Sequence, residues 1–128
     1  MTTMRKENLS FIQAKEAFEQ LHSSSNEERI LELRMHILYG YNDAYGRYDD
    51  TEPSKEDYLY FEANCKELIK TESLSSTLKA ELYREIGEFD KCLRLLDSLS
   101  PTNGYEDIVR KQISEQAQAG NKKVFQLK

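Results

Sequence analysis

Apolar residues recur every three or four positions along most of the chain, the spacing that places side chains on one face of an α-helix. Short polar stretches divide this pattern into segments. We therefore predict six helices, over about residues 8–22, 26–47, 53–71, 76–86, 89–99 and 105–119. Because the connections are short, consecutive helices should run antiparallel. The predicted fold is all-α, a single domain over residues 1–128 with a short extended tail at 121–128.

The same spacing predicts which side chains of the outer helices face the core. In the first helix the inward residues are predicted to be Leu9, Ile12, Phe18 and Leu21. In the third they are Tyr58, Phe61, Cys65, Leu68 and Ile69. In the sixth they are Tyr105, Ile108, Val109 and Ile113.

The second predicted helix is apolar over about half of its circumference or more, so neighbours should cover it on two sides. Its polar side is predicted to hold Arg29, Glu32, His36 and Asp43. Arg34 interrupts the apolar arc, and Asn42 does so to a lesser degree. A buried guanidinium needs a carboxylate partner or a route to solvent. Alternatively Arg34 binds an anion or a peptide carboxylate, which its planar fork suits.

Residues 76–99 are predicted to form a helical hairpin with a glycine at the bend. Leu78, Leu82 and Ile86 form an apolar stripe on the first arm, and Phe89 opens a second stripe on the other arm. Gly87 follows Ile86, where a helix exit often requires a left-handed backbone.

This hairpin resembles a tetratricopeptide repeat over about residues 73–101. Ala80 stands at the small position of the first helix, Tyr83 follows one turn later, and Cys92 stands where the second helix usually has alanine. Gly87-Glu88-Phe89 is similar to the Gly-Asp-Tyr turn of the repeat. The early tryptophan is missing, and Pro101 comes sooner than the closing proline of the family. The resemblance implies a right-handed helical stack that holds a partner; the alternative is an unrelated small helical bundle.

Composition narrows the function classes. The net charge of -5 and the lack of a basic stripe disfavour binding to nucleic acid. No apolar run approaches the roughly 20 residues needed to span a bilayer, and the first ten residues do not resemble a signal peptide. The two cysteines, Cys65 and Cys92, are therefore expected to be free thiols in the cytoplasm.

The chain shows no pattern of a cofactor or metal site. Cys65, Cys92, His22 and His36 lack the close spacing of zinc ligands, the acidic stretch at residues 48–57 lacks the order of an EF-hand loop, and no phosphate-binding glycine loop is present. We predict neither a cofactor nor a metal ion. The more informative feature is that six of the 8 tyrosines fall between Tyr39 and Tyr60, because tyrosine combines a large apolar face with a polar tip and suits interfaces.

We predict a non-enzymatic interaction module that binds a protein or peptide in a groove lined by the second helix and the first arms of the hairpins. The residues expected to line that groove are Arg34, Tyr41, Asn42, Tyr45, Tyr60 and Tyr83. One alternative is a small helical-bundle enzyme that uses Arg34 to bind an anionic substrate. Another is a homodimer in which the tyrosines or the tail form the subunit contact.

Overall fold

The computed structural model describes residues 9–21, 26–46 and 52–125, and every regular element within them is helical. The α-helices of these ranges are α1 (Phe11–Glu19), α2 (Glu27–Tyr41), α3 (Lys55–Ile69), α4 (Ser76–Glu85), α5 (Phe89–Asp97) and α6 (Tyr105–Gln118). A π-helix, Asn42–Gly46, follows α2 directly. The predicted all-α fold is confirmed. No helix in the described ranges is long and apolar enough to cross a membrane.

The chain divides into two compact units, Met1–Asn64 and Cys65–Lys128, and the boundary falls within α3. In the first unit α1 packs against α2. Gly40 allows this approach, since a Cβ atom there would lie 2.5 Å from the Phe11 nitrogen. Ser10 caps α1 with a reciprocal pair of hydrogen bonds to Gln13, which fixes the backbone that faces Gly40.

Two expectations for the first unit are wrong. Ile12 is 65% exposed, whereas Phe11 and Ala14 are buried, because the Phe11 backbone is the part of α1 that meets Gly40. The sequence predicts His36 on a polar side of α2, but this side chain is 2% exposed. Positions 35–38 are all buried, and at roughly 100° per residue they point in every direction around the helix. The second half of α2 therefore has no polar side.

In the second unit, α4 and α5 pack against each other and α6 packs against both. Gly87 has φ of +82° between the two arms, and the Glu88 N–H donates to the Tyr83 carbonyl at 2.8 Å. The bend predicted at Gly87 is confirmed. The core of this unit is formed by Ala80, Cys92, Ile113 and Ala117, with partly buried apolar side chains around them.

The predicted inward face of α6 is wrong at its start. Tyr105 is 66% exposed and Ile108 is 49% exposed, while Ile113 and Ala117 are buried. Only the later turns of α6 reach the core formed with α4 and α5, so the apolar side chains of its first turn remain open to solvent. The predicted buried positions of α3 are confirmed at Phe61, Cys65 and Leu68.

Candidate functional site

Three of the predicted tyrosines lie in a closely packed aromatic cluster of the first unit: Tyr41 on α2, Tyr45 in the π-helix and Tyr60 on α3. The rings of Tyr41 and Phe61 are stacked with their centroids 3.9 Å apart. Tyr45 lies 5.2 Å from Tyr41, and Phe11 lies 5.6 Å from Tyr41 and 6.1 Å from Tyr60. Tyr41 is buried and Tyr45 and Tyr60 are half-buried, so this cluster closes the core of the unit.

Arg34 is held by side chains of the first unit. Its Nη1 donates to Oδ1 of Asn64 at 3.1 Å, and Nδ2 of Asn64 donates back to the Arg34 carbonyl at 2.9 Å. The guanidinium carbon lies 4.6 Å from the centre of the Phe18 ring. The partners are an amide and an aromatic face in place of the carboxylate that the sequence suggested. These contacts tie Arg34 to α1 and α3.

Polar groups border the aromatic cluster. The Tyr45 hydroxyl donates to Oδ2 of Asp57 at 3.3 Å, and Lys15 lies 3.9 Å from Oδ1 of the same carboxylate. Burial raises the pKa of Tyr45, and the neighbouring Asp57 charge raises it further. Burial also raises the pKa of Tyr60. Both phenols are therefore protonated at neutral pH, and neither is tuned for proton transfer.

The two remaining predicted residues have different positions. Asn42 ends α2, is half-buried and begins the π-helix. Tyr83 lies on α4 in the second unit, where it packs partly buried against the core. The structure therefore brings Tyr41, Tyr45 and Tyr60 together, whereas Tyr83 belongs to a different compact unit.

A groove of about 540 Å³ runs between α4 and α6 in the second unit. This volume lies within the range of ligand clefts, about 300–1,000 Å³. Its apolar lining consists of Leu78, Tyr105, Val109, Ile113 and Phe125. Its polar lining consists of Ser75, Thr77, Glu81 and Glu106. The exposed ring of Tyr105 thus has a place in the lining of the groove.

A hydrogen-bond network joins the first turns of α4 and α6 at one end of the groove. The Thr77 hydroxyl donates to Oε2 of Glu106 at 2.5 Å and accepts from Nε of Arg110 at 2.9 Å. Nη1 of Arg110 also donates to the Ser100 carbonyl at 2.9 Å. This network fixes the separation of the two helices at Thr77 and Glu106, which both line the groove.

Arg84 holds the other end and is 0% exposed. Its Nε and Nη2 donate to the two carboxylate oxygens of Glu81 at 2.7 Å and 2.5 Å, and Glu81 in turn lines the groove. Its Nη1 donates to the carbonyls of Asn121 and Lys123 at 2.6 Å and 2.8 Å. The guanidinium carbon lies 4.8 Å from the centre of the Phe125 ring. A buried charge needs such a set of partners.

The carbonyls that Arg84 binds belong to residues 121–125, which we name the return segment. Gly120, two residues after the end of α6, has φ of +70°, and the chain turns there. Nδ2 of Asn121 donates to Oε1 of Gln116 at 2.7 Å, and Oδ1 of Asn121 accepts from the Lys123 N–H at 3.0 Å. The segment ends at Phe125, which packs against the core and lines the groove.

No protein-family model matches the chain, and no curated protein and no solved structure is similar enough to it to count as a relative. Among the described residues, no group of three or more histidine, cysteine, aspartate or glutamate side chains is placed to hold a metal ion.

The groove between α4 and α6 could not be predicted from the sequence. One signal was present: Glu81 and Arg84 are spaced as an i, i+3 ion pair on α4. The contact of Arg84 with the return segment, 37 and 39 positions away, has no such signal. The exposed Tyr105 is predicted in the core because its spacing from Ile108 and Val109 fits an inward stripe.

Proposed function

We propose that this chain is a non-enzymatic, tetratricopeptide-like interaction module, and that its second unit binds an extended segment of another protein in the groove between α4 and α6. The observation that carries the proposal is the exposed Tyr105 beside an apolar floor of Leu78, Val109 and Ile113. A large aromatic side chain at the edge of an apolar cleft is the usual composition of a binding hot spot.

The charges of the groove favour a basic partner. Two carboxylates, Glu81 and Glu106, are part of the lining, while the guanidinium groups that pair with them, on Arg84 and Arg110, are not. The groove therefore presents the negative ends of both ion pairs. The partner we expect has one or two apolar anchor side chains with lysine or arginine beside them, because opposite charge speeds association and favours such segments over acidic ones.

The geometry gives less support to the enzyme alternative. Arg34, to which that alternative assigns the anionic substrate, donates to Asn64 and faces the Phe18 ring. Tyr45 and Tyr60 have raised pKa values because of burial, so neither is a general base near neutral pH. The homodimer alternative remains a prediction that sedimentation of the purified chain would test.

Selection from a random peptide display library tests the proposal, because it does not require the natural partner. We expect the selected peptides to share an aromatic or aliphatic anchor with a basic neighbour. Their affinity, measured by fluorescence anisotropy, should fall as salt concentration rises. Failure to select any peptide, or selection of acidic peptides, would contradict the proposal.

Two exposed apolar residues of α6 provide a matched pair of variants. Tyr105 lines the groove and Ile108 does not, and both are open to solvent. Tyr105→Ser should weaken binding about ten-fold or more, the loss typical of an interface hot spot. Ile108→Ser should leave the affinity unchanged. Equal effects of the two variants would show that the peptides bind outside the groove.

A further inference from the structure

We infer that Arg84 is a positioning residue for the groove: it holds the return segment in place, so that Phe125 forms a wall against which the partner packs. This inference rests on the proposed function, because it concerns affinity for the same groove. Arg84 itself is fully buried and is not part of the lining. Any influence it has on a bound peptide must therefore act through Glu81 and Phe125.

The guanidinium of Arg84 binds groups on two sides. Its donors face two ways, toward the Glu81 carboxylate on its own helix and toward the carbonyls of Asn121 and Lys123. Two carbonyls that are two residues apart can both bind Nη1 only when the chain between them curves around it. Arg84 thus fixes the path of the main chain as well as its distance from α4.

Phe125 contacts both Arg84 and the groove. The ring lies against the guanidinium, at 4.8 Å from its central carbon, and also lines the groove. A cation held near an aromatic ring stabilises that placement. Loss of the planar guanidinium would remove both carbonyl hydrogen bonds and the ring contact at once, so Phe125 would no longer be held in position beside the groove.

Substitution of Arg84 by lysine separates the charge of this side chain from its shape. Lysine keeps the positive charge near Glu81 but offers a single nitrogen in place of the planar fork. It can therefore satisfy the carboxylate or the carbonyls of the return segment, but not both in the observed arrangement. Arg94, on α5, is exposed and does not line the groove, so Arg94→Lys is the matched control for Arg84→Lys.

Two measurements test the inference on full-length chains whose helical content is checked by circular dichroism. Hydrogen exchange of the amides in residues 121–125 should become at least ten-fold faster in Arg84→Lys and stay unchanged in Arg94→Lys. Affinity for the peptides selected on the wild-type chain should fall about ten-fold in Arg84→Lys and in Phe125→Ala. The double variant should bind more weakly than Phe125→Ala by less than the factor that Arg84→Lys causes alone, because part of the effect of Arg84 passes through that ring.

Each outcome has a separate meaning. Unchanged exchange in the return segment of Arg84→Lys overturns the inference, whether or not peptides bind. Faster exchange with unchanged peptide affinity also overturns it and leaves the proposed function standing. If Arg84→Lys does not fold, the peptide affinity of Phe125→Ala tests the inference. An unchanged affinity in that variant would show that the Phe125 ring does not contact the bound peptide and would overturn the inference. If no peptide can be selected on the wild-type chain, both the proposed function and this inference are wrong.

Discussion

Substitution of Gly40 by alanine should destabilise the protein, although alanine is the better helix former. In an open helix the change from glycine to alanine stabilises by about 1 kcal/mol. At Gly40, however, the added Cβ would lie 2.5 Å from the Phe11 nitrogen, 2.7 Å from its Cα and 2.9 Å from the Ser10 carbonyl carbon. All three are backbone atoms, so no side-chain rotation relieves the contact.

The size of the effect follows from these distances. Ordinary van der Waals contact begins at 3.4 Å, so α1 would have to move by nearly 1 Å away from α2. That movement would loosen the contact of the Phe11 ring with Tyr41. Overpacking of this kind costs about 1–3 kcal/mol, and a clash between two backbones belongs at the upper end. After the gain in helix propensity, we expect a net loss of about 2 kcal/mol in the free energy of unfolding.

Urea unfolding followed by far-ultraviolet circular dichroism measures this loss directly. Gly104→Ala is the control, because a Cβ there meets nothing within 4 Å. Its expected loss is below about 1 kcal/mol, from the weaker preference for alanine at a helix N-cap. A Gly40→Ala variant as stable as the wild type, or more so, would refute the close approach of α1 and α2 at this residue.

Three further predictions concern buried thiols, an acidic cap and the hairpin bend. Burial raises the pKa of Cys92 to about 11, and Cys65 is also buried. Both thiols should therefore react with a disulfide reagent at pH 8 at least about a hundred-fold more slowly than free cysteine. Rapid reaction of either thiol would contradict the burial of that side chain. Hydrogen bonds from loop N–H groups lower the pKa of Asp107 in the folded chain. The ionised carboxylate therefore stabilises the fold at pH values above the pKa that Asp107 has in the unfolded chain. This stabilisation is lost as the pH falls through the pKa of Asp107 in the folded chain. Asp107→Asn should therefore lower the melting temperature at pH 7 and flatten its decline below about pH 4; an unchanged melting curve would show that these N–H groups do not hold the carboxylate. Gly87 has φ of +82°, so Gly87→Ala should lower the free energy of unfolding in urea by about 1–2 kcal/mol, and Gly87→Asn should lower it by less. Equal stability of the wild type and both variants would contradict the left-handed bend.

The order and approximate bounds of the α-helices among the described residues could be predicted from periodicity, because each helix depends mainly on neighbouring residues. The buried face of α1 could not. Phe11 and Ile12 are adjacent and equally apolar, and the choice between them depends on Gly40, which is distant in sequence. The same limit applies to the start of α6, where Tyr105 fits an apolar stripe by spacing but has too few neighbours to cover it.

The two arginines show why the candidate site was harder to predict than the fold. Arg34 stands out in the sequence because its helix is rich in apolar residues, yet its partners are an amide and a ring within the first unit. Arg84 is the more deeply buried, and half of its hydrogen bonds go to main-chain carbonyls of the return segment. Every residue has a carbonyl, so such an acceptor leaves no mark in the sequence. A buried guanidinium that binds main-chain carbonyls constrains the path of the chain and leaves the residue type open. We therefore expect substitutions in the return segment to be tolerated except at Asn121, whose side chain bonds Gln116 and the Lys123 N–H, and at Phe125, whose ring forms the wall of the groove.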